Sequence, residues 1–78
     1  MDTTERRTIA GTLKAARVTQ RAVAEFIGCG DVALSLFFQG HRPMSDDRIT
    51  ALKDAAKLAA DGRFLTALEA KRKELQQG

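Results

Sequence analysis

The sequence predicts an all-α fold, a compact bundle of about five short helices, and three observations support this prediction. Apolar residues recur every three or four positions, as Ile9, Leu13 and Ala16 do, which puts them on one face of a helix. No segment has the strict apolar-polar alternation of a half-buried strand. Glycines and capping residues divide the chain at short intervals. The chain has 78 residues and no evident linker, so we expect a single domain over 1–78.

Start and stop signals bound the first two helices. Asp2, with Glu5 three residues later, resembles a capping box, and helical spacing continues from there to about Arg17. Thr19 is a favoured N-cap residue for a second, shorter helix. Gly28 is expected to end that helix, because glycine readily adopts the left-handed conformation that often follows a helix C-terminus.

A short third helix is predicted directly after the second. Gly30 or Asp31 can cap its start, and the helix extends to about Gln39. Gly40 supplies the stop, and Pro43 disfavours helix in the residue before it. The second and third helices are therefore separated by only a very short turn.

Two more helices are expected after the proline. Ser45 is a good N-cap, and the acids Asp46 and Asp47 suit the positive end of a helix dipole. Gly62 is expected to break or bend this fourth helix. The last helix, over about 63–76, has apolar residues on one side and basic residues toward its end, where the dipole favours them.

The short turn at Gly28 is the most informative feature of the sequence. Two helices that meet at a steep angle need a tight connection, and glycine adopts a positive φ most easily because it has no Cβ. Ala24, four residues earlier, presents the small side chain that a close helix crossing requires. Leu34 and Phe37 then fall where the third helix packs back onto the first two.

Ten residues of 20–40 form a pattern without gaps: Gln20, Val23, Ala24, Ile27, Gly28, Gly30, Leu34, Phe37, Phe38 and Gly40. In this pattern the segment resembles the helix-turn-helix of the lambda repressor-like and Cro-type DNA-binding family, and the five-helix layout is similar as well. The resemblance implies a transcriptional regulator of phage or bacterial type, a Cro-like repressor that binds a palindromic operator in double-stranded DNA as a homodimer.

In this family the second helix of the motif reads base edges in the major groove. At 100° per residue the inward face of the third helix holds Leu34, Phe37 and Phe38, so the opposite face points outward. Side-chain amides and hydroxyls can hydrogen-bond bases, aliphatic groups can pack on thymine methyls, and an arginine after the helix can address guanine. The predicted base-reading residues are Val32, Ser35, Leu36, Gln39 and Arg42.

The resemblance also implies contacts with the DNA backbone. A polar residue at the start of the second helix is expected to hydrogen-bond a phosphate, helped by the N–H groups of the helix terminus. Basic residues near the end of the first helix and a hydroxyl at the start of the fourth are further candidates. The predicted phosphate-binding residues are Gln20, Arg21, Lys14, Arg17 and Ser45.

The last helix offers a surface for dimerisation. Phe64, Leu68 and Leu75 exceed what so small a core is expected to need, which favours pairing with a symmetry mate. The alternative is that this stripe packs on the first helix of the same chain.

The remaining features give no sign of catalysis. The formal net charge of +3 favours an acidic partner such as nucleic acid. No residue cluster suggests an enzyme, a metal site or a cofactor; Cys29 is expected to be a small inward apolar residue, and His41 a solvated loop residue. We expect a cytoplasmic location and no membrane partner. The alternative function is a protein-binding module, an antirepressor or transcription cofactor, that uses Val32, Leu36 and an exposed Phe26.

Overall fold

The computed structural model describes residues 3–77, which form five α-helices without any strand. The Cα radius of gyration is 12.0 Å, close to the value of about 11.5 Å expected for a folded chain of this length. The five helices, with no strand over 3–77, confirm the all-α prediction. The helices are α1 (Thr3–Ala15), α2 (Gln20–Ile27), α3 (Asp31–Phe38), α4 (Asp46–Ala60) and α5 (Phe64–Gln77).

Two of the predicted N-caps are confirmed. The Thr19 hydroxyl accepts a hydrogen bond from the Ala22 N–H at 3.1 Å, and the Ser45 hydroxyl accepts one from the Arg48 N–H at 3.3 Å. Each satisfies a donor in the first turn that has no carbonyl partner within its helix. The capping box expected at Asp2 lies outside the described residues.

The turn between α2 and α3 has the predicted left-handed glycine. Gly28 has φ +89°, and the N–H groups of Gly28 and Cys29 both donate to the Ala24 carbonyl, at 2.8 and 3.0 Å. A side chain with a Cβ would be strained in this conformation. Ala24 is buried, and three residues separate the two helices.

The core lies between α4 and the helices around it. The backbone of α4 lies close to α1, α2 and α5, whereas the backbone of α3 lies close to α1 and α2. Leu34, Leu52 and Val23 are the largest fully buried side chains, contributed by α3, α4 and α2 in turn. α3 therefore lies at the edge of the bundle, anchored by one side and open on the other.

Two expectations about the apolar residues are corrected by the packing of α5. Phe26 was expected on the surface but is only 7% exposed, because its ring packs against Phe64 with centroids 5.4 Å apart. Phe64 and Leu68 were assigned to a dimer interface but are 2% and 3% exposed within the single chain. They complete the core of the chain itself, so of the proposed interface residues only Leu75, 79% exposed, remains available to a partner.

Candidate nucleic-acid interface

The open side of α3 presents a mixed apolar and polar surface. Val32 is 69% exposed, and Gln39 is also exposed. Ser35 and Leu36 are half-buried between them. The Gln39 amide nitrogen lies 3.4 Å from the Ser35 hydroxyl, so these two polar groups are neighbours on one face. This surface offers an amide, a hydroxyl and two aliphatic groups in a row along one helix.

The start of α2 adds unsatisfied backbone donors beside this surface. Since Thr19 accepts the N–H of Ala22, helix geometry leaves the N–H groups of Gln20 and Arg21 without a carbonyl partner. The N-terminal end of a helix also carries partial positive charge. These are the features that bind a phosphate oxygen at a helix terminus.

Arg21 and Asp31 link the starts of the two helices. The Arg21 Nε lies 3.9 Å from an Asp31 carboxylate oxygen, and the other carboxylate oxygen accepts the Val32 N–H at 3.0 Å. Both side chains are largely exposed, so the ion pair contributes little to stability. Its consequence is electrostatic: the only acid of α3 has a cation beside it.

Lys14 and Gln20 come together in a shallow groove of about 270 Å³ between α1 and α3. Phe38 forms one of its walls and is half-buried there. Arg17 follows α1 with its side chain exposed and its backbone at φ +61°. Three of the predicted phosphate-binding residues therefore lie around the junction of α1 and α2.

Two further predicted residues lie beyond α3: Arg42 of the base-reading set and Ser45 of the phosphate-binding set. Arg42 is exposed in the segment between α3 and α4. Ser45 uses its hydroxyl oxygen to cap α4, which leaves the hydroxyl hydrogen free to donate to a phosphate. Asp46 and Asp47 follow it directly in the first turn, so the electrostatic attraction for a phosphate is weaker there than at α2.

The structure places one cation near this surface that was not predicted from the sequence. Arg6 belongs to α1, yet its guanidinium lies 5.9 Å from the centre of the Phe37 ring of α3. Arg6 lies outside 20–40, so the sequence pattern did not indicate that it contacts α3. Only the packing of α1 against α3 brings the two together.

The basic residues of α5 have structural partners. The Lys71 ammonium donates to the Phe26 carbonyl at 2.7 Å and lies 4.1 Å from the centre of the Phe26 ring. The Arg72 guanidinium donates to Glu25 at 2.6 Å. This hydrogen bond, with the attraction of the two charges, raises the pKa of Arg72 above its ordinary value. Both side chains hold α5 against the end of α2 rather than forming a free cationic surface.

Comparisons of the chain with protein-family models, with curated proteins and with solved structures returned no match. The resemblance of 20–40 to the lambda repressor-like family therefore depends on the residues themselves. Along residues 3–77, no helix combines the length and the apolar character needed to cross a bilayer.

Proposed function

We propose that this chain is a sequence-specific DNA-binding protein in which α2 and α3 form a helix-turn-helix. The observation that carries the proposal is the position of α3. Its backbone lies close to α1 and α2, its buried side faces the core, and the side that bears Val32 and Gln39 is open. A helix exposed along one side, next to the start of another helix whose first two N–H groups lack carbonyl partners, has the shape of a unit that enters the major groove.

The contacts with the bases follow from the chemistry of the exposed side. The Gln39 amide can bond the N6 and N7 groups of adenine, and the Ser35 hydroxyl can bond most bases. Val32 and Leu36 can pack on thymine methyl groups, which are the apolar features of the major groove. Arg42, beyond the end of α3, can address guanine with its two parallel N–H groups. This side carries little charge, so we expect the site it recognises to contain A·T base pairs.

Backbone contacts supply the rest of the affinity. The N–H groups of Gln20 and Arg21 suit a phosphate at the start of α2, and Lys14 and Arg17 can extend this contact along the strand. Ser45 can donate to the strand at the far side of α3. Phosphate neutralisation releases counterions, so binding is expected to weaken steeply with salt.

We further propose that the protein acts as a homodimer and as a transcriptional repressor. Two copies related by a two-fold axis would place their α3 helices in successive major grooves, roughly 34 Å apart. Binding over a promoter would exclude polymerase. With Phe64 and Leu68 in the core, the exposed end of α5 at Leu75 is the part of the expected interface that a second copy can contact.

Selection of bound fragments from a random duplex library tests this function. We expect enrichment of a two-fold symmetric sequence, with loss of binding to it when Gln39 and Arg42 are changed to alanine. Each lost base contact is expected to cost about 1–3 kcal/mol. Lys73→Ala, on the exposed surface of α5, is the matched control and is expected to retain sequence preference.

The outcomes separate this proposal from the alternative. Enrichment of a sequence without two-fold symmetry would support the proposed DNA binding but exclude the symmetric dimer. No enrichment even at low salt would exclude sequence-specific DNA binding and favour the protein-binding module. That module now has only the exposed Val32 and the half-buried Leu36 to support it, since Phe26 is in the core.

A further inference from the structure

Arg6 connects the first helix to the end of the proposed recognition helix. Its guanidinium lies over the Phe37 ring, 5.9 Å from the ring centre, and its Nη2 donates to the Thr3 hydroxyl at 3.1 Å. It also lies against the turn after α3, where a Cβ on Gly40 would come within 3.4 Å of Nη2. The side chain is half-buried, so a ring, a hydroxyl and a turn together restrict its orientation.

The guanidinium forms one wall of an open cleft of about 480 Å³ beyond the C-terminal end of α3. Arg42 and His41 also line this cleft, and Asp46 is its one carboxylate. With histidine neutral, two arginines against one aspartate leave a formal charge of +1. Asp46 lies in the first turn of α4, where the positive end of the helix dipole offsets part of its charge.

The charge of Arg6 has no carboxylate partner within the part of the chain that the structure describes. The ion pairs there join Arg21 to Asp31 and Arg72 to Glu25. Among the described residues, Arg6 donates one of its five N–H groups to a side-chain hydroxyl, that of Thr3. A guanidinium held in place with donors to spare matches the geometry of a phosphate, which it can bind through two parallel hydrogen bonds.

We propose that Arg6 binds a backbone phosphate of the DNA strand that passes the C-terminal end of α3, beside the base contact assigned to Arg42. This inference rests on the DNA-binding function proposed above and assigns it a contact from outside α2 and α3. The contacts with the Phe37 ring and the Thr3 hydroxyl restrict the side chain before DNA binds. Less conformational entropy is therefore lost when the phosphate binds than for a fully solvated arginine.

The salt dependence of binding tests this inference. Arg6→Gln removes the charge and keeps much of the side-chain length; Arg6→Lys keeps the charge. Arg7→Gln is the matched control, because Arg7 is the next residue of the same helix and is exposed. Affinity for the selected duplex is measured by fluorescence anisotropy over a series of KCl concentrations, after thermal unfolding has shown that each variant is folded.

We expect Arg6→Gln to reduce the slope of log affinity against log salt by about one. The affinity is expected to fall by about eightfold at 0.1 M salt, because each neutralised phosphate releases about 0.9 of a counterion. Arg6→Lys is expected to keep the slope, and Arg7→Gln to match the wild type. An unchanged slope in a folded Arg6→Gln variant that binds more weakly would assign Arg6 a structural role and overturn the inference.

A second measurement uses the unaltered protein and so does not depend on the stability of a variant. The NMR signal of the Arg6 Nε–H is expected to shift when the duplex is added, while the Arg7 signal stays in place. A duplex that binds without moving the Arg6 signal would overturn this inference and leave the DNA-binding function intact. A wild-type protein that binds no duplex would overturn both.

Discussion

At the scale of single residues, the backbone of Arg17 is the least expected feature. Arg17 is the one described non-glycine residue with positive φ. After it, the Val18 N–H donates to the Leu13 carbonyl at 2.9 Å, a hydrogen bond typical of a helix that ends through a left-handed residue. Gly40 and Gly62 hold the equivalent place after α3 and α4, at φ +81° and +72°. An exposed arginine thus stands where glycine is favoured.

Arg17→Gly is expected to stabilise the protein and weaken DNA binding. The left-handed conformation costs an L-residue about 1 kcal/mol or more, and glycine avoids this cost. Glycine also raises the conformational entropy of the unfolded chain, which offsets part of the gain in stability. We expect a net gain of about 0.5–1 kcal/mol, which raises the unfolding temperature of a domain of this size by about 2–8 °C. Thermal unfolding and duplex binding of the same variant measure the two effects.

Arg17→Ala is the matched control, because it removes the guanidinium but keeps a Cβ in the strained conformation. It is expected to bind DNA as weakly as Arg17→Gly, without the gain in stability. Equal unfolding temperatures for the two variants would show that the backbone of Arg17 is not strained. Unchanged duplex binding in both variants would show that Arg17 does not contact DNA.

Residue-scale predictions from sequence succeeded where local chemistry decides the outcome. Thr19, Ser45 and Gly28 have the cap and turn geometries that their residue types favour. Phe26 shows where this reasoning ends. It was expected at the surface of α2, as the family resemblance implies, but its ring packs against that of Phe64, 38 positions later in the chain. No local pattern specifies a contact of that kind.

At the scale of elements, α5 acts as a brace for α2. The last carbonyls of a helix lack intrahelical partners, and Lys71 satisfies that of Phe26 from a distant helix. The adjacent ion pair between Arg72 and Glu25 is exposed and adds little stability by itself. Together they fix the end of α2 directly before the Gly28 turn, and so they bear on the angle at which α3 is presented.

Lys71→Met tests the brace. The variant keeps an apolar stem but loses the hydrogen bond to the Phe26 carbonyl and the attraction of the ammonium for the ring. We expect a loss of about 1–2 kcal/mol in the free energy of unfolding. Urea unfolding measures this loss.

Lys73→Met is the control for Lys71→Met, because it removes the same charge from an exposed position two residues further along α5. It is expected to change the free energy of unfolding by less than about 0.5 kcal/mol. Equal losses in the two variants would show that charge alone, and not the contact with α2, is responsible.

Helix boundaries were predicted within about two residues, with one informative difference. α1 was expected to extend to Arg17 but ends at Ala15. Spacing of apolar residues alone does not reveal this, because Arg17 has a side chain typical of a helix interior and none of the features of a terminator. Its left-handed backbone accompanies the hydrogen bond from the Val18 N–H to the Leu13 carbonyl that ends α1.

At the scale of the whole molecule, the packing order of the helices decides which surfaces are available. α4 occupies the centre, α5 closes the core, and α3 remains at the edge. The sequence predicted the outward side of α3 from angular spacing, and Val32 and Gln39 do lie at the surface. The burial of Phe64 and Leu68 in the core was not predicted. Which side chains are buried depends on how helices from distant parts of the chain pack together, and this is not visible in a local pattern.

The surface of α2 and α3 is the centre of this account, and NMR titration of the isotope-labelled protein with a selected duplex tests it most directly. We predict that the largest amide shift changes occur at Gln20, Arg21, Val32, Gln39 and Arg42, with little change along the exposed side of α5 near Leu75. Shift changes confined to α4 and α5, with α3 unaffected at saturating duplex, would contradict the account.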